Sequence, residues 1–118
     1  MPKSVSISFE FVVPAEEVLA TARKMASSSN RDEQVVGKSV LDLTEVTNRS
    51  KAAVEDVTNP ADYDMAVYFD YKFGDSLEAA KRLESATDKE VGYVADTLIS
   101  QSEAITKSKA AFQAAAKQ

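Results

Sequence analysis

The sequence predicts an α+β fold that is rich in helix. Two stretches, residues 4–13 and 65–73, place apolar side chains on every second position, which is the pattern of a strand with one buried face. Each stretch is followed by a helix-start signal and by apolar residues at three- and four-residue spacing, as in an amphipathic helix. We therefore expect two strand–helix units whose strands form a small sheet, packed by about four helices and ending in a long C-terminal helix.

The first unit begins with the alternating run of residues 4–13. Pro14 follows at a position that suits the first turn of a helix, and Glu16 and Glu17 bring negative charge to the positive end of the helix dipole. The polar run SSSNRDE, residues 27–33, is expected to end this helix in a loop. The buried stripe of the helix should contain Val18, Leu19, Ala22 and Met25.

The middle of the chain admits two interpretations. Ser39 and Asp42 have the S-x-x-D spacing of a capping box, and valines at three- and four-residue steps predict a helix from about Ser39 to Val57. The same valines and threonines are good strand formers, so a short strand at residues 39–44 is the alternative. A third strand within residues 35–46 therefore stays open.

The second unit is the most distinctive stretch of the chain, AVYFDYKFGDSLEAAKRL, residues 66–83. Its aromatic half alternates like the first strand, and Gly74 with Asp75 or Ser76 then supplies a turn and a helix cap. The side chains expected in the core are Val67, Phe69, Tyr71 and Phe73, and those expected on the open face of the strand are Tyr68, Asp70 and Lys72.

The C-terminal part predicts one long helix. Thr87 and Glu90 form another capping-box pattern, and apolar residues recur from Val91 to Phe112. A helix of about 25 residues is about 40 Å long, which is long for a domain of this size. Its far end, around Ile105 and Phe112, is therefore a candidate for packing against another chain, and a solvated tail is the alternative.

The composition limits the chemistry that the chain can perform. The 118 residues include no histidine and no cysteine, so the commonest metal ligand, the usual general base and thiolate nucleophiles are all missing. No apolar run approaches the roughly 20 residues that cross a bilayer. We expect one globular domain, residues 1–118, in the cytoplasm, without a cofactor or membrane association. An enzyme is the minority interpretation.

Two short motifs resemble ligand sites. Gly37-Lys38-Ser39 resembles the end of a phosphate-binding loop, but Asp32 stands where the first glycine is needed, and its carboxylate would repel phosphate. Asp62, Asp64 and Asp70 offer hard oxygen ligands for Mg²⁺ or Ca²⁺ without the complete spacing of a calcium-binding loop. They are the metal candidates of an alternative function, a small-ligand or divalent-metal-binding domain.

The charge distribution favours a protein partner over nucleic acid. The net charge is −5, and residues 61–97 carry nine acids against four bases, so no basic stripe is present to neutralise phosphates. We expect a non-catalytic interaction or assembly module, structural or regulatory, that forms a homodimer or higher homo-oligomer by edge pairing of its strands and binds partners with a basic surface. The candidate contact residues are Tyr63, Tyr68, Asp70, Lys72, Ile105 and Phe112.

Overall fold

The computed structural model describes residues 11–55 and 68–116. In these ranges the regular structure is entirely helical: α1 spans Glu16–Ala26, α2 spans Arg31–Glu55, α3 spans Ser76–Leu83 and α4 spans Lys89–Ala116. Neither a strand nor a sheet occurs in them, so the predicted α+β class is wrong. The described part of the chain is a helical bundle.

Helices α2 and α4 form the centre of the bundle. They pack against each other, and α1 and α3 each pack against both of them without contacting one another. The apolar core lies where these faces meet, as expected for amphipathic helices. Its buried side chains include Ala22, Met25, Val36, Val40, Leu43, Val46, Ala79, Ala80, Val91, Val94, Ala95, Leu98 and Ile105.

Three of the predicted helices have bounds close to those expected. α1 begins two residues after Pro14, α3 begins just after Gly74, and α4 continues as far as Ala116. The cap of α4 differs in detail, because Asp88 supplies it: Asp88 Oδ1 accepts a hydrogen bond from the backbone N–H of Glu90 at 2.9 Å.

Helix α2 begins well before Ser39, the predicted start. Its cap is Asn30, whose Oδ1 accepts the backbone N–H of Glu33 at 3.1 Å and whose carbonyl accepts that of Gln34 at 2.9 Å. The polar run after α1 is therefore a short link followed directly by the first turn of α2. The strand alternative within residues 35–46 is wrong as well, because these residues all lie inside α2.

The predicted strand at residues 65–73 is wrong where the structure describes it, from Tyr68 onward. Tyr68 and Phe69 have helical backbone and Asp70 lies in a turn. The backbone N–H of Tyr71 is bonded to the carbonyl of Tyr68, at 3.4 Å, and so closes a turn. Aromatic residues form strands only when a neighbouring strand and a half-buried surface are available, and here the rings pack against helices.

The predicted strand at residues 4–13 lies largely outside the described residues. Its described end has no regular secondary structure. Phe11 packs on Tyr68 with ring centroids 5.4 Å apart, and the carbonyl of Val12 accepts a hydrogen bond from Gln101 Nε2 at 3.4 Å. The segment before α1 is thus bound to α4. The described part of the chain contains no strand, so it offers no strand edge through which a homodimer could form as predicted.

Gly37 allows α1 and α2 to approach closely. A Cβ atom on Gly37 would lie 2.5 Å from the carbonyl oxygen of Ala22, 2.7 Å from the backbone nitrogen of Ala26 and 2.9 Å from Met25 Cβ. Two of these atoms belong to the backbone of α1, so they cannot move unless the helix moves. Glycine is therefore required by helix packing, and the Gly37-Lys38-Ser39 motif lies inside a helix rather than in a phosphate-binding loop.

The interface between α2 and α4 becomes more polar along its length. Gln101 is 2% exposed, and its Nε2 donates to Thr44 Oγ1 at 3.3 Å, whereas its Oε1 has no partner among the described residues. A buried acceptor without a partner weakens packing, so this half of the interface is held less firmly than the apolar half. The buried polar side chains of the two helices are Thr44, Thr47, Ser50, Gln101 and Ser108.

Replacing Gly37 by alanine is expected to lower the free energy of unfolding by about 1–3 kcal/mol, which is the usual cost of overpacking. Helix propensity alone would favour alanine by about 1 kcal/mol, so a loss can come only from the clash with α1. Urea unfolding followed by circular dichroism measures the effect.

The matched control is Gly92→Ala, also at a buried glycine within a helix. An added Cβ on Gly92 would meet the nearest atom, the Glu84 carbonyl oxygen, at 3.4 Å, which is ordinary contact. This variant should be as stable as the wild type or more stable. A Gly37→Ala variant that unfolds at the wild-type urea concentration would contradict the packing requirement.

Candidate interaction surface

The residues between positions 68 and 73 form a compact turn that we call the aromatic turn. It ends at Gly74, whose φ of 59° lies in the left-handed region that glycine adopts without strain. Ser76 closes the turn onto α3, since its Oγ donates to the carbonyl of Phe73 at 2.6 Å and its N–H donates to the same oxygen at 3.0 Å. The turn therefore has a fixed exit into α3.

The rings of the aromatic turn pack in two groups. Tyr68 lies between Phe11 and Phe69, with ring centroids 5.4 Å and 5.8 Å away. Tyr71 and Phe73 meet edge to face, with centroids 4.9 Å apart and planes at 77°. Such tilted and edge-on contacts suit the charge distribution of aromatic rings, so they stabilise the turn.

Tyr71 also ties the aromatic turn to α2. Its hydroxyl donates to Asp42 Oδ2 at 3.0 Å. Partial burial, together with the neighbouring Asp42 carboxylate, raises the pKa of Tyr71 above its ordinary value. The phenol therefore stays protonated and keeps donating this hydrogen bond over the neutral pH range.

A groove of about 410 Å³ lies between the aromatic turn, the start of α3 and the C-terminal half of α4. We call it the α4 groove. The residues that α4 contributes follow three- and four-residue steps, so they share one face over about 16 Å of helix. The groove is lined by Phe69, Phe73, Leu77, Ser102, Ile105, Thr106, Lys109, Ala110 and Gln113.

The rim of the α4 groove carries both signs of charge. Lys109 Nζ lies 3.4 Å from Asp70 Oδ1, and these side chains are 42% and 71% exposed. Lys72, two residues further along the aromatic turn, is exposed as well. An apolar floor with a polar rim is the usual anatomy of a protein contact surface.

The predicted contact residues are only partly brought together. Tyr68 was expected on an open face and is 1% exposed, so that prediction is wrong: helical backbone turns its side chain into the core. Asp70 and Lys72 are exposed near the groove, and Ile105, which is 6% exposed, lies in its lining. The backbone of Phe112 belongs to α4, whereas residue 63 lies outside the described ranges.

Of the three aspartates predicted as metal ligands, the structure describes only Asp70. Asp62 and Asp64 lie outside the described residues, and Asp70 faces the Lys109 ammonium. Within residues 11–55 and 68–116 there is no cluster of three or more histidine, cysteine, aspartate or glutamate side chains able to hold a metal ion. Metal binding by the three aspartates stays a prediction.

Two crossed ion pairs join the start of α2 to α3. Arg82 donates to both carboxylate oxygens of Asp32, at 3.0 and 2.9 Å, and Arg31 donates to Asp75 Oδ2 at 2.6 Å. The hydrogen bond from Arg82 holds the pKa of Asp32 below its ordinary value, and that from Arg31 does the same for Asp75. Because these groups are solvated, the pairs orient α3 on α2 more than they stabilise the fold.

Glu84 and Asp96 bring together two groups of the same charge, unlike the ion pairs between α2 and α3. Glu84, just after α3, lies beside Asp96 of α4, and this neighbouring carboxyl group raises the pKa of Glu84 above its ordinary value. Both residues are exposed. Their mutual repulsion at neutral pH opposes the close packing of the end of α3 on α4.

Sequence reasoning missed most of the surface that the structure presents. Phe73 was assigned to a buried strand face, and Lys109 was not singled out, although both line the α4 groove. Tyr93, which is 65% exposed, was also missed. The three- and four-residue spacing from Ser102 to Gln113 was the signal that could have found one wall of the groove.

Comparisons with known proteins found no family model, no curated protein and no solved structure that matches this chain. Among the described residues, none of the helices combines the length and apolar character needed to span a membrane.

Replacing Glu84 by glutamine is expected to raise stability at neutral pH. Folding raises the pKa of Glu84, so ionisation of this carboxyl group destabilises the folded state. The destabilisation is absent at low pH, where the carboxyl group is protonated in the folded and the unfolded state alike. It grows as pH rises through the pKa of the folded state. The melting temperature of Glu84→Gln should exceed that of the wild type at pH 7, and the difference should vanish below about pH 4.

Glu45→Gln, at an exposed position of α2, provides the charge-matched control and should show no such pH-dependent gain. Equal gains in both variants at pH 7 would mean that overall net charge, and not the contact with Asp96, is responsible.

Proposed function

We propose that this chain is a non-catalytic protein-interaction module that assembles with a second copy of itself through the α4 groove. The observation that carries the proposal is the groove itself: aromatic and aliphatic side chains line a cleft of about 410 Å³ that follows one face of α4. The groove follows three turns of α4, to which Ile105 and Ala110 contribute the apolar side chains, and this length matches contacts in which one helix lies in the groove of another.

The composition supports an interaction role over catalysis. Without histidine and cysteine, the chain has no usual general base near neutral pH and no thiolate nucleophile. The ion pairs of Arg31 and Arg82 each join the start of α2 to α3. Such pairs position helices, which is a structural task.

The mixed charge of the rim favours a second copy as the occupant. In an interface with twofold symmetry the same patch meets itself, so each charge needs an opposite charge within the same patch. Asp70 and the lysines at positions 72 and 109 provide both signs, so that Asp70 of one copy can face a lysine of the other. A rim of one sign would instead have favoured a partner of opposite charge.

Ala110→Glu tests this assembly. Ala110 is exposed and lines the groove, so the substitution should leave the fold intact and place a carboxylate in the contact. Sedimentation equilibrium of the wild type should show twice the 12.8 kDa mass of one chain at high micromolar concentration. The variant should dimerise at least about tenfold more weakly, because a buried unpaired charge is costly.

Ala20→Glu is the matched control, since Ala20 is an exposed alanine on α1, away from the groove. It should dimerise like the wild type. A wild-type chain that stays monomeric at high micromolar concentration, or an Ala20→Glu variant that loses as much association as Ala110→Glu, would contradict the proposal.

A further inference from the structure

Tyr93 is exposed to an unusual degree for a large aromatic side chain on a packed helix. It lies in the N-terminal half of α4 and is 65% exposed. The described part of the chain has one other exposed large apolar side chain, Val13 at 47%, which is not in a helix. Tyrosines left in water on an otherwise polar face are enriched at sites where other proteins bind.

A small notch lies beside Tyr93, where α1 crosses α4. It has a volume of about 90 Å³ and is lined by Glu17, Val18 and Thr21 of α1 and by Glu90 and Tyr93 of α4. We call it the Tyr93 notch. Its volume has room for the head group of one side chain and is too small for a helix. Any occupant is therefore a single projecting group.

The charged groups that line the notch are the carboxylates of Glu17 and Glu90. Thr21 uses its hydroxyl within α1, donating to the carbonyl of Glu17 at 3.2 Å. Glu17 and Glu90 are exposed, and neither forms an ion pair with another described residue. Glu16, by contrast, is paired with Arg23 at 3.0 Å. The notch thus combines an aromatic ring with two carboxylates, which repel anions and attract a cation.

We infer that the Tyr93 notch receives an arginine side chain from a partner protein with a basic surface. A guanidinium group can lie against the face of a tyrosine ring while its N–H groups donate to carboxylates at its edge. Arginine suits this better than lysine, because its planar head group is more weakly hydrated and donates in several directions at once. Val18, which is half-buried and lines the notch, can pack against the aliphatic part of the side chain.

The notch is separate from the surface proposed for self-association. Tyr93 and Thr106, which lines the α4 groove, are 13 residues apart in the chain. This places them about 140° apart around the helix and about 20 Å apart along it. A dimer formed through the groove therefore leaves the notch accessible, and binding at the notch does not depend on whether the chain dimerises.

The test uses the full chain, labelled with carbon-13 in its four tyrosines, and a short blocked peptide with two arginines separated by glycine. The control peptide carries citrulline, the neutral isostere of arginine, at both positions. Titration followed by NMR should move the ring signals of Tyr93 in a saturable way with the arginine peptide and leave them unmoved with the citrulline peptide. Tyr93→Leu identifies the signals and should bind about threefold more weakly, followed by calorimetry.

Replacing Glu17 and Glu90 together by glutamine should weaken arginine-peptide binding about fivefold, as expected for the loss of two exposed charge contacts. Glu45→Gln/Glu103→Gln is the control with the same net charge, because both glutamates are exposed and lie outside the notch. Equal binding of both peptides, an unmoved Tyr93 signal, or an equal loss in the two double variants would overturn the inference.

Discussion

The close approach of α1 and α2 at Gly37 is the constraint on which the rest of the bundle depends. The backbone of α1 occupies the space that any side chain at position 37 would need. With the two helices in contact and joined by only a short link, α1 has one position against α2 and therefore one position against α4. Helices that approach through a small residue gain contacts along both backbones, so the crossing is specific as well as tight.

Both surfaces described above follow from this arrangement. α1 brings Glu17 and Val18 beside Tyr93 on one side of α4. On the other side, the exit of the aromatic turn through Gly74 brings Phe73 and Leu77 beside the C-terminal half of α4. The central helix α4 thus presents a charged notch near its start and an apolar groove near its end, each completed by a different neighbour.

The interior differs between these two ends of α4. Near its start the helix packs through Val91, Val94 and Leu98, whereas further along its buried side chains include polar Gln101 and Ser108 beside apolar Ala104 and Ile105. Valine and leucine gain free energy on burial, while buried hydroxyl and amide groups gain little beyond what water already offered them. The end of the bundle that holds the groove therefore has the more polar interior.

The sequence predicted three of the helices well, and it predicted the strand at residues 65–73 wrongly where the structure describes it, for reasons that can be named. Pro14, the acids after it and the three-residue steps of α3 are local signals, and local signals suffice for helices because their hydrogen bonds are local. Strands need partners far along the chain, and the alternation around Phe69 did not reveal that no partner strand was present in the described part. Asn30 was a cap signal that was read as a loop, because its own neighbours are polar on both sides.

The candidate site was less accessible to sequence reasoning than the fold. The three- and four-residue spacing from Ser102 to Gln113 could have predicted the wall of the groove that α4 forms. The opposite wall depends on the path of the aromatic turn. That path is set by one left-handed residue and by contacts with α2. The Tyr93 notch has members on α1 and α4, and only the crossing of these helices brings its two glutamates together.

The glycines also have a consequence for how this bundle would tolerate divergence. Position 37 accepts no Cβ because of its neighbour, and position 74 disfavours one because of its own backbone, whereas position 92 has room for one. A distant descendant of this chain could change nearly every surface residue and still be expected to keep a glycine at the first position and a glycine or asparagine at the second. Positions 37 and 74 would therefore identify common ancestry more reliably than any of the solvent-exposed side chains.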